Sequence, residues 1–291
     1  MLDVEQFTPG AQSLHRGLML LDVVGVMTRD ETHGVGLADL ARTTGLPKSS
    51  LHRLLLALKQ AGYVEKLEPE GGYRLGVQAH VLGQLASSGT DPLHDTGQEA
   101  LVRLAELSED TTFLSVRQGS YGLCVRREEG GGVIRNNAMH VGDRHPLGIG
   151  AGSLAILASL PDADVETVFD RNAQVLSRQY PRIGPDTLRD LVSRTRIDGF
   201  ATNPGLAAPG SWAIGVAVMD PWGTPAAALS IASIEQRLTG ARQPDLVDAM
   251  HSEARFITAS IKDSATANAT ASVDRGRPTR PTTTPPGRPS R

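Results

Sequence analysis

Leu37-Ala38-Asp39-Leu40-Ala41-Arg42-Thr43-Thr44-Gly45-Leu46-Pro47-Lys48-Ser49-Ser50-Leu51-His52-Arg53-Leu54-Leu55-Leu56-Ala57-Leu58-Lys59-Gln60-Ala61-Gly62 decides how the N-terminal third folds. Leu37, Leu40 and Ala41 share one side of a short amphipathic helix. Gly45 closes it, because a left-handed cap residue carries no Cβ penalty when it is glycine. Pro47 suits the first turn of the next helix, where its missing N–H has no partner to lose. On a wheel of about 100° per residue, Leu51, Leu54, Leu55 and Leu58 form one stripe. Ser49, Arg53 and Gln60 lie opposite, with His52 and Lys59 on one flank. Leu56 sits near the polar side and breaks the pattern. The segment Gly45 to Gly62 holds Lys48, Arg53 and Lys59 and no acid, while the rest of residues 1–88 has five basic and nine acidic side chains. A leucine-anchored helix that turns local positive charge outward is a docking element for phosphates. Lys48, Ser49 and Ser50 can hold phosphates, and Arg53 can reach a guanine edge with two parallel hydrogen bonds.

Working outward, a helix is expected from Ser13, with Leu14, Leu18, Leu21 and Val24 on one face. After Gly62, Tyr63–Leu67 and Tyr73–Leu75 read as extended pieces around the turn Glu68-Pro69-Glu70-Gly71-Gly72, where proline presets φ and glycine accepts positive φ. Helix, helix, turn, helix and hairpin outline a winged helix-turn-helix over residues 13–76, preceded by an arm over 1–12. Arg74, beside Tyr73 in the hairpin, suits a wing along a groove. Gln78–Ser87 is expected as a connecting helix, in a linker over residues 77–92 that Gly89-Thr90-Asp91-Pro92 ends.

The second pattern spans residues 93–263. It has a helix at Leu93–Leu107 and strands at Thr111–Val116, Gly122–Arg126 and Val133–Asn136. Gly148–Gly152 leads into an apolar helix at Ser153–Ser159, and another helix lies near Pro185–Thr195. Strands follow at Ile214–Met219 and Ala226–Ala232 around the turn Pro221-Trp222-Gly223-Thr224, then a helix at Asp245–Lys262. Strands mixed with flanking helices mark an α+β domain. Residues 264–291 are mostly Thr, Ala, Pro and Arg, too poor in apolar surface to offset ordering entropy, and read as a disordered tail. After Val273 five arginines face one aspartate, a charge that could assist DNA binding.

The whole chain has 291 residues, 40% of them hydrophobic, and a net charge of −3, which excludes a globally basic nucleic-acid coat. One cysteine, Cys124, excludes an internal disulfide framework and a cysteine-based zinc cluster. No apolar run reaches the length of a membrane span, and the first residues lack the order of a secretory signal, so a cytoplasmic protein without a membrane partner is expected.

Several stretches together resemble the IclR family of bacterial transcriptional regulators. They are Ser13-Leu14-His15-Arg16-Gly17-Leu18, Gly45 to Leu55, Gly62-Tyr63-Val64 and Tyr73-Arg74-Leu75-Gly76. The second domain adds His145-Pro146-Leu147, Gly150-Ala151-Gly152-Ser153-Leu154-Ala155-Ile156-Leu157-Ala158, Asp198-Gly199-Phe200-Ala201, Gly215-Val216-Ala217-Val218 and Ala227-Ala228-Leu229-Ser230-Ile231-Ala232. The likeness covers about residues 12 to 262. It implies an α+β protein with an N-terminal winged helix-turn-helix, a linker helix and a GAF-like C-terminal domain that binds a small molecule. It further implies a homodimer or homotetramer on double-stranded DNA. Dimer symmetry predicts a near-palindromic operator, with the Pro47–Gln60 helix of each copy in a major groove and the Gln78–Ser87 helix as the lever between ligand and DNA. The DNA-binding residues would be Lys48, Ser49, Ser50, His52, Arg53, Lys59 and Arg74.

The resemblance places the effector pocket between the glycine-led loop and the last strands. Gly150-Ala151-Gly152 opens a helix, so its unpaired amides can receive a carboxylate. Ser230 can add a hydroxyl, and Asn203 is a polar loop position. Some relatives carry cysteine near Ala213 and serine near Ala232; alanine at both makes this pocket less polar. Pro209-Gly210-Ser211-Trp212 can instead place Ser211 as a donor and Trp212 as an aromatic wall, which favours a larger or aromatic organic acid; plain core packing is the equal alternative for Trp212. A regulator of a catabolic or transport operon is the expected function. The alternatives are an enzyme on a small acid with a fused helix-turn-helix, and a GAF-like sensor working through protein contacts. A dinucleotide loop at Gly148–Gly152 lacks a framing βαβ unit and a following acid. No catalytic set, cofactor or metal site is expected. Cys124 sits in an apolar run, His140 and His145 lack further ligands at metal spacing, and Glu109-Asp110 and Glu128-Glu129 read as exposed charge.

Overall fold

The computed structural model describes residues 10–29, 33–69, 71–87, 92–206 and 208–275. The expected arm before Gly10, the break at 88–91 and the tail beyond Arg275 lie outside the described residues. The N-terminal unit holds α1 (Gln12–Met27), α2 (Leu37–Thr44), α3 (Lys48–Gln60), β1 (Val64–Lys66) and β2 (Tyr73–Leu75). β1 and β2 pair antiparallel through Val64↔Leu75, Glu65↔Arg74 and Lys66↔Tyr73, and Val35 bridges Tyr73 as a third short piece. Gly45 takes the expected left-handed cap, φ 68°, and its N–H bonds Ala41 O at 3.0 Å. That cap turns the chain sharply enough to seat α3 across α2. Leu51 and Leu55 are buried with Leu20, Val24, Leu40, Val64 and Tyr73, and Leu54 and Leu58 flank them.

α1 departs from the expected face. Leu20 and Val24 enter the core, four residues apart, whereas Leu14 and Leu18 are 64% and 50% exposed. The apolar residues of α1 make two stripes, and one of them stays outside. α4 (Val77–Ser87) then leads away, with Val77, Val81 and Leu82 exposed.

The second unit opens with α5 (Pro92–Ser108) and builds a six-stranded antiparallel sheet from β3 (Thr111–Gln118), β4 (Tyr121–Glu128), β5 (Arg144–Pro146), β6 (Ala201–Pro204), β7 (Trp212–Met219) and β8 (Pro225–Ser233). The strand order is β5-β4-β3-β8-β7-β6. α6 (Ala151–Ala158), α7 (Asp162–Gln179) and α8 (Pro185–Asp198) cover one face, α5 and α10 (Arg242–Arg275) the other, and α9 (Glu235–Leu238) is a single turn. Period-two alternation divides the strands between two cores. Leu114, Ile214, Val216, Leu229 and Ile231 face α5 and α10, while Phe113, Ala213 and Ala228 face α6. The α6 face of the sheet is built from small residues, so the helix can lie close. A Cβ on Gly215 would stand 2.6 Å from the carbonyl carbon of Ala151. All eight residues of α6 are buried, which its apolar sequence all round demands.

Three expectations are corrected and one helix is new. Val133–Asn136 is not a strand: Val133 is fully exposed, Asn136 N–H bonds the Thr111 hydroxyl (3.3 Å), and just before the segment Gly132 N–H bonds Glu109 O (3.0 Å). The edge strand is β5 instead. α7 is the new helix: Val165, Val168, Phe169 and Leu176 line its buried side, and Asn172 interrupts that stripe and uses its amide on Ser120 O (2.8 Å). α10 continues to Arg275, so the first part of the expected tail, residues 264–275, is helical. Asp110 is 1% exposed rather than a surface charge. It accepts from the Ser233 hydroxyl (2.6 Å), Arg237 Nε (2.8 Å) and Arg242 Nη1 (3.3 Å), tying β8 and α10 to the start of β3.

Candidate DNA-reading face and effector cavity

α3 presents Lys48, Ser49, His52, Arg53, Lys59 and Gln60 to solvent on the side opposite its buried leucines. Ser50 is half-buried and its N–H bonds Pro47 O at 2.9 Å, so its backbone belongs to the first turn. Among the described residues no carboxylate pairs with Lys48, Arg53 or Lys59. Three free cations on one rigid helix give a positive stripe that costs no internal ion pair to redirect onto phosphate. Leu56 lies within this surface, 49% exposed, as its place on the wheel predicted. Arg74 differs: it bonds Glu65 across the wing. A wing contact through Arg74 must compete with that pair.

The second site is a partly open cavity of about 70 Å³ between α6 and the sheet. Eight of the nine expected effector residues line it: Gly150, Ala151, Gly152, Asn203, Ser211, Ala213, Ser230 and Ala232. Trp212 does not. Neighbouring residues of a strand point to opposite faces, so with Ser211 and Ala213 at the cavity, Trp212 packs toward the α5/α10 core. The aromatic wall comes from Phe113 of β3, joined by Met139 and Ile149. Sequence reasoning missed these, and also Ser115, Gly122, Asn136, Ala138, His145, Ser153 and Ala208. The alternation of β3 could have flagged Phe113 and Ser115, since Leu114 is the core residue between them. Asn136 and Met139 lie in a loop with no periodic signal.

Among the described residues no lysine, arginine, aspartate or glutamate lines this cavity. Its electrostatics come from α6. No side chain caps that helix at Gly150, so the first amides carry the positive end of the helix dipole into a site screened from water. Around them the polar groups are held in place. Ser153 Oγ accepts from Gly148 N–H (3.2 Å) and donates to Pro146 O (3.3 Å). Asn136 Nδ2 donates to Ser211 Oγ at 2.7 Å. Asn203 lies in β6, paired with Ala213, rather than in a loop as expected; its Oδ1 accepts Leu206 N–H at 3.0 Å and braces the loop that follows. His145 Nδ1 meets the Tyr180 hydroxyl at 3.0 Å. Burial holds the imidazole below its ordinary pKa despite the opposing pull of Asp143, so His145 is neutral at pH 7.

Cys124 is buried, and its thiol is pushed up to about 12, first by burial and then by Asp143. It donates weakly to Arg126 O (3.4 Å). Among the described residues no three His, Cys, Asp or Glu side chains assemble to hold a metal ion, and no helix is long and apolar enough to cross a membrane.

The helix-turn-helix model of the IclR family matches residues 13–68, and the model described as the bacterial transcriptional regulator IclR C-terminal domain matches residues 90–259. The chain belongs to the IclR family. The acetate operon repressor of Salmonella typhimurium is 28% identical over 242 residues, covering 82% of this chain and 86% of the relative. An IclR transcriptional regulator from Alicyclobacillus acidocaldarius has the same fold, with TM-score 0.71 at 20% identity over 86% of this chain and 98% of its own. An IclR homologue from Microbacterium hydrocarbonoxydans, solved with 4-hydroxybenzoate, aligns with TM-score 0.66 at 23% identity over 86% and 99%. IclR-family membership makes this chain a DNA-binding transcriptional regulator rather than an enzyme. The expected winged helix-turn-helix and α+β effector-type domain are the observed ones.

Proposed function

We propose that this regulator responds to a small organic acid held in the α6 cavity. The carboxylate would take the amides of Ala151 and Gly152, with Ser230, Ser211 and the Asn136 amide as polar neighbours. The body would lie against Phe113, Met139 and Ile149. The observation that carries this reading is the uncapped, buried N-terminus of α6 opening into a cavity that none of the described charged side chains lines. A carboxylate there gains dipole and hydrogen-bond energy without a counter-ion. At about 10–15 Å³ per water position the cavity holds several waters. A two- or three-carbon acid leaves much of that room unfilled; an aromatic acid fills it. The Microbacterium homologue solved with 4-hydroxybenzoate is consistent with that class.

On the DNA side, Lys48, Ser49, Ser50, His52 and Lys59 serve as backbone contacts and Arg53 as the base reader. The uncovered apolar residues Leu14, Leu18, Val77, Val81 and Leu82 support a homodimer, which places two α3 helices on a near-palindromic operator. A regulator of a catabolic or transport operon, working in the cytoplasm, follows from an acid effector and a chromosomal target. Calorimetric titration tests the effector class: 4-hydroxybenzoate should bind and glyoxylate and pyruvate should not. Tight binding of the two small acids with none of the aromatic acid would overturn it. For the DNA side, gel shifts with fragments from beside its own gene should show a specific complex, and retention of none of them would overturn the residue assignments.

A further inference from the structure

One segment of chain belongs to both functional regions. Ala138 and Met139 line the α6 cavity, Gly142 and Asp143 face the winged-helix unit, and His145 borders both spaces. On the far side of this partition lies a cleft of about 400 Å³ between the two units, with Met19, Val23 and Val26 of α1 opposite Gly142 and Arg144. Across it Arg29, just past the end of α1, bonds Asp143 Oδ1 through Nη2 at 2.5 Å. Both side chains are about four-fifths buried, at 20% and 22% exposure, so the pair is only partly screened by water.

Asp143 is well placed to transmit displacement. Its Oδ2 accepts His140 N–H (2.8 Å), and its backbone oxygen accepts Cys124 N–H (3.0 Å) from β4. Burial alone would raise its pKa, but the Arg29 bond and the His140 amide outweigh that, and the carboxyl stays below its ordinary range. Arg29 is oriented by its own helix, with Nε on Val26 O at 3.1 Å. The structure therefore fixes the middle of this segment at Asp143, and among the described residues β5 pairs with β4 alone. We propose that the partition Ala138–Pro146 links occupancy of the effector cavity to docking of the winged helix on its own effector domain, with Arg29–Asp143 as the latch. The inference rests on the effector reading above and adds the route by which that site reaches DNA. The route runs within one chain and does not need the linker helix α4 as the sole lever. A ligand that shifts Met139 or His145 changes the geometry at Asp143, and by reciprocity the latch changes ligand affinity.

The test removes the latch from each side. Arg29→Gln and Asp143→Asn should each change the affinity for 4-hydroxybenzoate by about fivefold or more. Arg29→Lys, which keeps the charge, should stay within about twofold of the natural protein, and Arg189→Gln, which removes an exposed ion pair elsewhere, should change nothing. A distance readout runs in parallel. Cysteines at Arg42 and Arg171 carry the labels, buried Cys124 stays unlabelled, and labelled chains are diluted into unlabelled ones. The distance should lengthen or broaden in Arg29→Gln and should respond to acid only while the latch is intact. Equal acid affinity in natural and Arg29→Gln proteins, with an unchanged label distance, would overturn the latch. If the natural protein binds neither acid class, the effector reading fails by itself. The label distance of Arg29→Gln without ligand then decides the latch alone: an unchanged distance refutes it and a lengthened one sustains it.

Discussion

Replacing Gly215 with alanine probes how tightly the cavity depends on the seating of α6. The new Cβ would lie 2.6 Å from Ala151 C, 2.7 Å from Ala151 O and 2.8 Å from Gly152 N. Ordinary contact begins near 3.4 Å, so the helix start must retreat by about 0.8 Å. All three atoms are backbone, and no rotamer change relieves the clash. Overpacking of this kind costs about 1–3 kcal/mol of stability. The functional cost is separate. Amide bonds to a carboxylate hold between about 2.7 and 3.2 Å, so a shift of that size breaks one or more of them. A lost charge-assisted bond of about 1.5–3 kcal/mol weakens the acid about tenfold to a hundredfold. Chemical denaturation and calorimetric titration with 4-hydroxybenzoate read the two effects. Gly131→Ala is the control, because nothing stands within 4 Å of a Cβ there. Wild-type acid affinity in G215A, with stability changed by less than about 0.5 kcal/mol, would refute the claim that this close approach shapes the carboxylate site.

Four further outcomes are expected. Arg53→Ala should lose about 1–3 kcal/mol of operator binding and relax base preference, while Lys59→Ala should weaken all DNA about equally and flatten the salt dependence, both read by fluorescence anisotropy. Asp110→Asn should destabilise the effector domain by about 3 kcal/mol or more in denaturant unfolding, because it leaves Arg237 and Arg242 without their shared buried carboxylate. His145 titrates below its ordinary pKa when folded, so it adds stability at pH values above about 6.5 that is lost as pH falls toward the folded pKa. A bound carboxylate reverses its preference, so acid affinity should rise between pH 8 and pH 6 in calorimetry and stay flat in His145→Gln. Cys124 should resist iodoacetamide at pH 8 until denaturant exposes it.

The DNA-binding unit was legible because its determinants are local. Gly45, Pro47 and the leucine stripe of α3 each constrain the backbone within a few residues, and the structure places them where the spacing required. The face of α1 was misread because Leu14 and Leu18 obey the same helical period as Leu20 and Val24; period alone does not say which of two apolar stripes finds a partner. The glycine-led opening of α6 was readable for the same local reason as the Gly45 cap. Trp212 was not, because its side depends on the register of β7, and Ser211 and Ala213 are too small to announce which face is buried. Asp110 looks like surface charge in sequence; only the return of Arg237 and Arg242 from about 130 residues downstream neutralises it. Asn136 and Met139 reach the cavity on a loop held by side-chain bonds to Thr111 of β3, Arg127 of β4 and Ser211, and no sequence period encodes such a path.

β5 is a three-residue strand at the rim of the sheet, paired with β4 and set apart in the strand order from β3, β8 and β7. Under the proposed latch, substitutions along that rim would retune the threshold of the response while leaving the cavity lining and the α3 face unaltered. For engineered biosensors, sensitivity becomes a dial separate from recognition, and in nature related regulators can diverge in set-point before they diverge in anything else.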